Sequence, residues 1–353
     1  MSFIDHMERA GLRGRGGAAF PTATKWRAVA ARSRRDAVIV VNGAEGEPRS
    51  MKDRFLMTTR PHDVLDGAFV AARELRARRV VLYIGERHAA ARDAMLRALA
   101  DRPHSERRLV THAAAPARYV AGVEAAAIHF LNQRIATPTT VPPYPFEHGV
   151  DGAPTLVQNV ETLTQVAALA RTGSLAGTAL LTLAGGVTRP GVFEVAQGTT
   201  VGDAVTMAGG PSAEPRAVLV GGYFGRWMQA DEAWPLAITP AARIGCGVIG
   251  LLPYDRCPVC DVAGIMRYLA CESSAQCGPC FFGLRALADA CTRVAQGGSN
   301  PEDLGRLRRW AAEVRGRGAC KHPDGAALFL ASALDVFAQE FAGHEAHPAA
   351  RPA

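Results

Sequence analysis

Eight cysteines lie in the last third of this 353-residue chain, and their spacing favours metal or redox chemistry. The first of them is Cys246, so two-thirds of the sequence contains no thiol. Cys277-Gly-Pro-Cys280 forms a close pair, and Cys320 follows much later. Iron–sulfur clusters are commonly held by thiolates two residues apart together with a ligand from elsewhere in the chain. Clustered cysteines in a large chain are more often such ligands than a disulfide framework.

A second pair, Cys257-Pro-Val-Cys260, leaves another interpretation open. Sixteen residues separate it from Cys277. Two C-x2-C pairs at that distance are typical of a zinc site with four cysteine ligands, here Cys257, Cys260, Cys277 and Cys280. Such a site leaves Cys320 unexplained. A redox-active dithiol at either pair is a third hypothesis.

A glycine-rich segment near the start, Gly14-Arg-Gly-Gly-Ala-Ala-Phe-Pro21, has the composition of a phosphate-binding loop. Glycines let backbone N–H groups turn toward an anion, and Lys25 adds a positive charge. The segment differs from a dinucleotide fingerprint, because a helical segment precedes it where a strand is required. By itself the pattern fits an ordinary tight loop equally well.

A polar loop follows the first predicted strand, in the sequence Val41-Asn-Gly-Ala-Glu-Gly-Glu-Pro48. Loops at the carboxyl ends of strands contact ligands in α/β folds. Asn42, Glu45 and Glu47 have side chains that can bond ring edges or ribose hydroxyls. A polar turn without a ligand is the competing interpretation.

The elements that must position these residues follow from hydrophobic periodicity. Strands alternate with helices over the first 111 residues, which predicts a parallel α/β sheet. A glycine-broken, β-rich module follows at 180–244, and a helical bundle ends the chain. The predicted strands are 37–41, 80–84 and 109–111; the predicted helices are 3–10, 24–32, 61–77, 88–100, 260–271, 278–295, 301–315 and 323–342.

Composition excludes several classes of function. The hydrophobic content of 48% supports a sizeable core in two or three domains. A membrane span needs about 18 or more consecutive apolar residues, and the sequence has none. The net charge of +7 comes from scattered arginines without a recognition motif, so no nucleic-acid partner is expected. These features predict a cytoplasmic protein without direct membrane insertion.

Five segments in order resemble the NADH-binding FMN and iron–sulfur flavoprotein subunits of respiratory complex I and of related bidirectional or bifurcating hydrogenases. The first is the glycine-rich segment with Lys25-Trp26, and the second is the polar loop after residue 41. The other three are Lys52-Asp-Arg54, Tyr119-Val-Ala-Gly-Val-Glu-Ala125 and Gln158-Asn-Val-Glu-Thr162. The resemblance covers nearly the whole chain, which is similar to a divergent and short member of that family.

The resemblance implies a fold and a domain order. It implies a Rossmann-like α/β FMN-binding domain at 1–172 and a ubiquitin-like β-grasp module of the SLBB type at 173–247. A C-terminal helical iron–sulfur domain is expected at 248–345, followed by a disordered tail at 346–353.

The resemblance also assigns cofactor contacts. Two groups of residues are implied, one around FMN and one around NADH. The FMN group is Gly14, Arg15, Gly16, Gly17, Lys25, Asn42, Glu45, Gly122, Glu124, Asn159 and Thr162; the NADH group is Phe20, Glu47, Tyr119 and Tyr144.

The cluster loop of the family resembles Glu272-Ser-Ser-Ala-Gln-Cys-Gly-Pro-Cys-Phe-Phe-Gly283, which implies a 4Fe–4S cluster. Cys277, Cys280 and Cys320 match three of its ligands, and Ser274 stands where the family has the fourth cysteine. A serine ligand, recruitment of Cys271, a three-iron cluster and an absent cluster all remain open. Ligand type and charge set the potential of such a cluster, so the serine is expected to shift it.

The implied activity is electron transfer as a subunit of an NADH dehydrogenase. Hydride would pass from NADH to FMN, and single electrons would continue to the cluster and to a ferredoxin or quinone-reductase partner. The partners would hold the subunit at the inner face of the membrane. Three departures, Ala44, Val123 and Val141, remove polar groups that the family has near nicotinamide. The alternative function is therefore that of a non-catalytic structural relative, stabilised by the four-cysteine zinc site.

Overall fold

The computed structural model describes residues 2–239, 242, 244–297 and 301–344. Internal contacts divide the chain into two units. The first contains Met1–Thr182, Val192–Gly198 and Thr239–Gly247, and the second contains Leu183–Gly191, Thr199–Ile238 and the residues from Val248 onward. The predicted tail at 346–353 lies outside the described residues. The three predicted domain boundaries stay a prediction.

The first unit is built on a parallel four-stranded sheet in the order β3-β2-β1-β4. In register, Val40 of β1 lies between Val81 of β2 and Val157 of β4. The apolar runs predicted as strands are confirmed, and a fourth strand joins them. The strands are β1 (Val38–Gly43), β2 (Arg79–Gly85), β3 (Val110–Ala115) and β4 (Thr155–Asn159).

Helices cover both faces of this sheet, as parallel sheets require. Side chains alternate along each strand, so Ile39 and Val41 join one core while Val38 and Val40 join another. The helices of this unit are α1 (Phe3–Arg9), α2 (Thr22–Arg32), α3 (Lys52–Thr59), α4 (Pro61–Glu74), α5 (Ala89–Ala100), α6 (His104–Arg107), α7 (Glu124–Gln133) and α8 (Val160–Thr172).

Helices α4 and α8 approach closely on the first of these faces. A side chain at Gly67 of α4 would overlap the backbone carbonyl of Leu163 in α8. This contact fixes α8, whose first turn follows directly on β4 and carries Asn159 as its N-cap. The helix therefore presents its N-terminal end at the carboxyl edge of the sheet, where α/β folds bind ligands.

The middle of the chain forms a second, five-stranded sheet in the order β6-β5-β9-β7-β8. Strand β7 pairs antiparallel with both β8 and β9. The β-rich module predicted at 180–244 is confirmed. Its elements are β5 (Thr178–Gly185), β6 (Gly191–Ala196), α9 (Val201–Met207), β7 (Pro215–Val220), β8 (Arg226–Gln229), α10 (Ala230–Ala233) and β9 (Val248–Pro253).

The predicted helical bundle is also confirmed, and it belongs to the second unit. Its helices are α11 (Pro258–Cys271), α12 (Arg285–Ala295), α13 (Pro301–Val314), α14 (His322–Val336) and α15 (Ala338–Ala342). A π-helical turn at Pro279–Leu284 precedes α12, and turns of this kind are frequent at functional sites. Among the described residues, no helix is long and apolar enough to cross a membrane.

Candidate cofactor sites

The glycine-rich loop is held by bonds inside the first unit. The Gly14 N–H donates to the Phe20 carbonyl at 2.9 Å, which closes the loop. The Arg15 N–H donates to Thr162 Oγ1, also at 2.9 Å. Thr162 is fully buried, so it supports the loop from the first turn of α8. Gly17 has a φ of +112°, which only glycine adopts without strain.

A small cleft opens beside this loop, with a cavity volume of about 30 Å³. Arg15 Nε is a buried donor with no acceptor among the described residues. The loop and an unpaired guanidinium donor fit a phosphate group. The lining includes Gly14, Arg15, Gly17, Lys52, Glu161, Leu180 and Gly245.

A buried ionic network borders the cleft, and its residues lie in two of the five segments named above, whose pairing the sequence does not predict. Lys52 Nζ lies 2.6 Å from Asp53 Oδ1 and 3.0 Å from Glu161 Oε2. Burial alone would lower the pKa of Lys52, but the two carboxylates outweigh it and the pKa is raised. Burial raises the pKa of Asp53 to about 6, against the opposing effect of Lys52. The Asn159 amide donates to Asp53 at 2.6 Å, which joins the network to the β4 end.

Glu45 has a visible structural role at the start of α3. Its carboxylate accepts from the N–H groups of Asp53 at 2.9 Å and Arg54 at 3.1 Å, two donors that a helix leaves unpaired. The Ser50 hydroxyl donates to the same carboxylate at 2.7 Å. Since these bonds already engage both oxygens, direct contact of Glu45 with FMN stays a prediction.

Four more predicted FMN residues form two pairs. Lys25 Nζ lies 3.0 Å from Glu124 Oε2, and it also donates to the Val157 carbonyl at 2.6 Å. The Asn42 amide donates to the Gly122 carbonyl at 2.9 Å. The structure thus brings the end of β1 close to the segment that leads into α7, while contact of these four residues with FMN stays a prediction.

The four predicted NADH residues differ in exposure. The Tyr119 hydroxyl donates to Glu47 Oε2 at 3.1 Å, and Glu47 is buried. Phe20 and Tyr144 are 53% and 45% exposed. Large exposed aromatic faces are suited to stacking on a ring.

The three cysteines predicted as cluster ligands, Cys277, Cys280 and Cys320, belong to the second unit. Burial, followed by the neighbouring Cys277 and Cys320, raises the pKa of Cys280 to about 12. Burial also raises the pKa of Cys320, while the His322 backbone N–H opposes it. Cys277 and Cys320 are therefore near enough to Cys280 to raise its pKa, although the three sulfurs do not all lie within 4.8 Å of one another. Two nearby cysteines and one remote cysteine are a donor set that fits an iron–sulfur cluster.

Two details near the cluster loop were not foreseen. A hydrogen bond with the Ser273 hydroxyl lowers the pKa of Cys280, so Ser273 contacts a predicted ligand. The role of Ser274 stays a prediction. His322, two residues after Cys320, is buried, and its Nε2 lies 2.8 Å from the Leu269 carbonyl oxygen.

The four-cysteine zinc site is not formed among the described residues. Cys257 and Cys260 lie at the start of α11, whereas Cys277 and Cys280 follow its other end. A 14-residue helix is about 21 Å long. The residues that do gather within 4.8 Å in the described part of the chain are Cys257, Cys260 and His344. The sequence signal that could have revealed this group is His344, a histidine that follows the Cys257–Cys260 pair late in the chain.

Family models match three parts of the chain. The model described as Nuo51 FMN-binding domain matches residues 7–168. The SLBB domain matches 180–222, and the NADH-ubiquinone oxidoreductase-F iron-sulfur binding region matches 262–344. Together with the cleft and the three thiols, these matches define an electron-transfer flavoprotein with an FMN-binding domain and an iron–sulfur region.

Curated relatives give the family. An NADH-quinone oxidoreductase subunit of Mycobacterium tuberculosis (strain ATCC 25618 / H37Rv) is 30% identical over 381 residues, which cover 97% of this chain and 84% of the relative. An NADH-quinone oxidoreductase subunit of Rhizobium meliloti (strain 1021) is 29% identical over 97% of this chain and 88% of its own length. The chain belongs to the family of FMN-binding NADH-quinone oxidoreductase subunits, and the predicted resemblance is confirmed.

Solved structures agree with this assignment. The NAD+-reducing [NiFe]-hydrogenase in its H2-reduced state contains a chain that matches with a TM-score of 0.85 and 32% identity. The match covers 98% of this chain but 62% of the hydrogenase chain. The predicted fold class is confirmed, and FMN and a 4Fe–4S cluster are the cofactors of the matched family models. The relatives are named as subunits of larger enzymes.

Proposed function

We propose that this chain oxidises NADH at FMN bound in the cleft and passes electrons to a cluster held by Cys277, Cys280 and Cys320. The cleft carries the proposal, because its glycine loop and unpaired Arg15 donor fit the phosphate of a flavin nucleotide. FMN supplies the conversion of a hydride into single electrons. The chain itself supplies binding, orientation and charge.

The FMN phosphate would bind the N–H groups of Gly16 and Gly17 together with the Arg15 guanidinium. The Arg15 N–H is already bonded to Thr162, so it orients the loop. Asn159 packs beneath Gly16, where an added Cβ would lie 3.4 Å from the asparagine Cβ. Asn42, Glu124 and Lys25 form the remaining side, with Glu45 supporting the loop after β1.

The nicotinamide nucleotide would bind between the Glu47–Tyr119 pair and the exposed rings of Phe20 and Tyr144. Stacking on a ring buries apolar area, and the carboxylate would accept from ribose hydroxyls. Ala44, Val123 and Val141 offer no polar groups here. A lost buried hydrogen bond costs on the order of 1 kcal/mol, so affinity for NADH would be lower than in relatives that keep these groups.

Electrons would leave through the cluster to a ferredoxin-like or quinone-reductase partner subunit. Ser274 is proposed as the fourth ligand, and Ser273 as the hydroxyl that hydrogen-bonds Cys280. Partner subunits would hold the protein at the inner, cytoplasmic face of the membrane. Co-purification of a tagged chain with its partners, followed by cell fractionation, tests this placement.

The deciding experiment is a visible absorption spectrum of the anaerobically purified protein before and after NADH. Flavin bands on a broad iron–sulfur shoulder, both bleached by NADH, are expected. NADPH at the same concentration is the matched control for donor choice. A protein that carries flavin and iron but is bleached by neither nucleotide would overturn the NADH assignment, and a colourless protein would overturn the whole proposal.

A further inference from the structure

Three metal-binding side chains gather where α11 begins, at the opposite end of that helix from the cluster loop. Sγ of Cys257, Sγ of Cys260 and a ring nitrogen of His344 all lie within 4.8 Å of one another. Cys257 Sγ is 3.9 Å from His344 Nδ1. We propose that these three residues form a zinc site separate from the iron–sulfur cluster.

The start of α11 brings the two sulfurs together. Cys257 is the N-cap of this 14-residue helix, and the Cys260 N–H donates to Cys257 Sγ at 3.4 Å. A C-x2-C pair at a helix start therefore points both thiols to one side.

A backbone carbonyl orients His344 toward the sulfurs. His344 Nε2 lies 3.0 Å from the Ala295 carbonyl oxygen. A carbonyl only accepts, so Nε2 carries the proton and Nδ1 presents its lone pair. Nδ1 is the nitrogen that faces Cys257. Histidine ligands of zinc almost always have this outer carbonyl or carboxylate partner.

The distance between Cys257 and His344 fits a zinc ion between them. Zn–S and Zn–N bonds with tetrahedral angles require a sulfur-to-nitrogen distance of roughly 3.6 Å. The observed 3.9 Å differs by only a few tenths of an ångström. Two thiolates neutralise the ion, and soft sulfur with imidazole favours zinc over magnesium or calcium. A water molecule would take the fourth position.

Zinc at this site would cross-link the start of the helical region, at Cys257, to its end, at His344. Cys257 and His344 are 87 residues apart, and all three cluster cysteines lie between them in the sequence. Closing a long loop removes conformational freedom from the unfolded chain, and metal binding adds directly to folding free energy. The site needs neither FMN nor NADH, so its test is independent of the proposed function.

The test measures zinc and iron together in the whole protein, purified anaerobically from zinc-supplemented cells. We expect about one tightly held zinc per chain, with two sulfur ligands and one imidazole nitrogen in X-ray absorption at the zinc edge. Cys257→Ser, Cys260→Ser and His344→Gln should each lower zinc by roughly tenfold or more while iron is retained. Cys271→Ser changes an exposed thiol at the other end of α11 and should keep its zinc.

Other outcomes overturn the site. These are wild-type protein without zinc, zinc with four sulfur ligands, zinc retained in all three variants, or a disulfide between Cys257 and Cys260. If a variant fails to fold, alkylation of the wild-type protein read by mass spectrometry decides the question. Zinc must protect Cys257 and Cys260, and a chelator must expose them; equal labelling with and without chelator contradicts the proposal.

Discussion

The cleft proposed for the flavin and the cysteine-bearing helical region would bind their cofactors in different ways. At the cleft, buried charges are paired inside the protein, as Lys52 is with Asp53 and Glu161. In the helical region, burial raises the pKa of Cys280 and Cys320, and neighbouring thiols raise it further. A cleft of the first kind is formed by the protein's own bonds, whereas the thiols need a metal to exist together as thiolates.

This difference predicts different responses to substitution. The binding free energy of a flavin nucleotide is distributed over many backbone and side-chain contacts, so the loss of one contact lowers the affinity only partly. A cluster has few ligands, and each one holds an iron directly. Substitutions in the helical region should therefore abolish a cofactor, while substitutions at the cleft should change an affinity or a stability.

The largest expected effect is the loss of the cluster in Cys320→Ala. Removing one of the three proposed thiolate ligands leaves too few ligands for a stable 4Fe–4S cluster. Iron and acid-labile sulfide per chain should fall to near zero, while the FMN-to-protein ratio stays unchanged. Cys271→Ala is the matched control, since Cys271 is exposed at the end of α11. Its loss of the cluster would instead identify Cys271 as the recruited fourth ligand.

Breaking the buried network with Lys52→Met should destabilise the first unit strongly. The substitution leaves Asp53 and Glu161 buried without their cation, which typically costs about 3–5 kcal/mol. Urea denaturation followed by tryptophan fluorescence measures the effect. Arg309→Met removes an exposed partner of Glu313, 3.9 Å away, and should cost about 1 kcal/mol or less. Equal effects of the two substitutions would contradict the assigned role of the network.

A smaller effect is expected from Gly17→Ala at the glycine-rich loop. A φ of +112° is unfavourable for alanine, at a cost of about 1–2 kcal/mol, so FMN affinity should fall roughly tenfold. Flavin fluorescence titration of the apoprotein measures this affinity. Gly264→Ala, inside α11 with open space at its Cα, should leave it unchanged. An unchanged affinity in Gly17→Ala would place the phosphate elsewhere.

The smallest expected effect concerns Tyr119→Phe. The substitution removes the hydroxyl that donates to Glu47 at 3.1 Å. One such bond is worth about 1 kcal/mol, so KM for NADH should rise about fivefold with kcat nearly unchanged. Steady-state ferricyanide reduction measures both constants, with Tyr254→Phe, an exposed tyrosine, as control. A fall in kcat at constant KM would argue against a role in binding.

Periodicity was sufficient to predict much of the fold. The runs at 37–41 and 80–84 are apolar and β-branched, so their burial between two helical layers follows from composition. Helix α3 was missed because its sequence, Lys52–Thr59, is short and polar at its start. Its first turn depends on Glu45, seven residues earlier, and periodicity does not detect such a contact.

The local motifs of the candidate site could be predicted from the sequence, but the long-range contacts between them could not. The glycine-rich loop and the Cys277–Cys280 pair are local patterns, so the sequence displays them directly. The pairing of Lys52 with Glu161 joins residues 109 positions apart. Equally, His344 meets Cys257 only because α11 and the end of α15 come together. Such contacts are products of tertiary packing, which no spacing rule encodes.

The flavin cleft is assembled from distant parts of the chain. Its lining combines Gly14 and Arg15 with Leu180 and Gly245, so the site draws on both the start and the later part of the sequence. During translation, the N-terminal part emerges and folds first. The flavin site would nevertheless remain incomplete until residue 247 has left the ribosome. We therefore expect a fragment ending at residue 172 to fold its sheet yet release FMN readily, and cofactor insertion to follow the synthesis of the middle module.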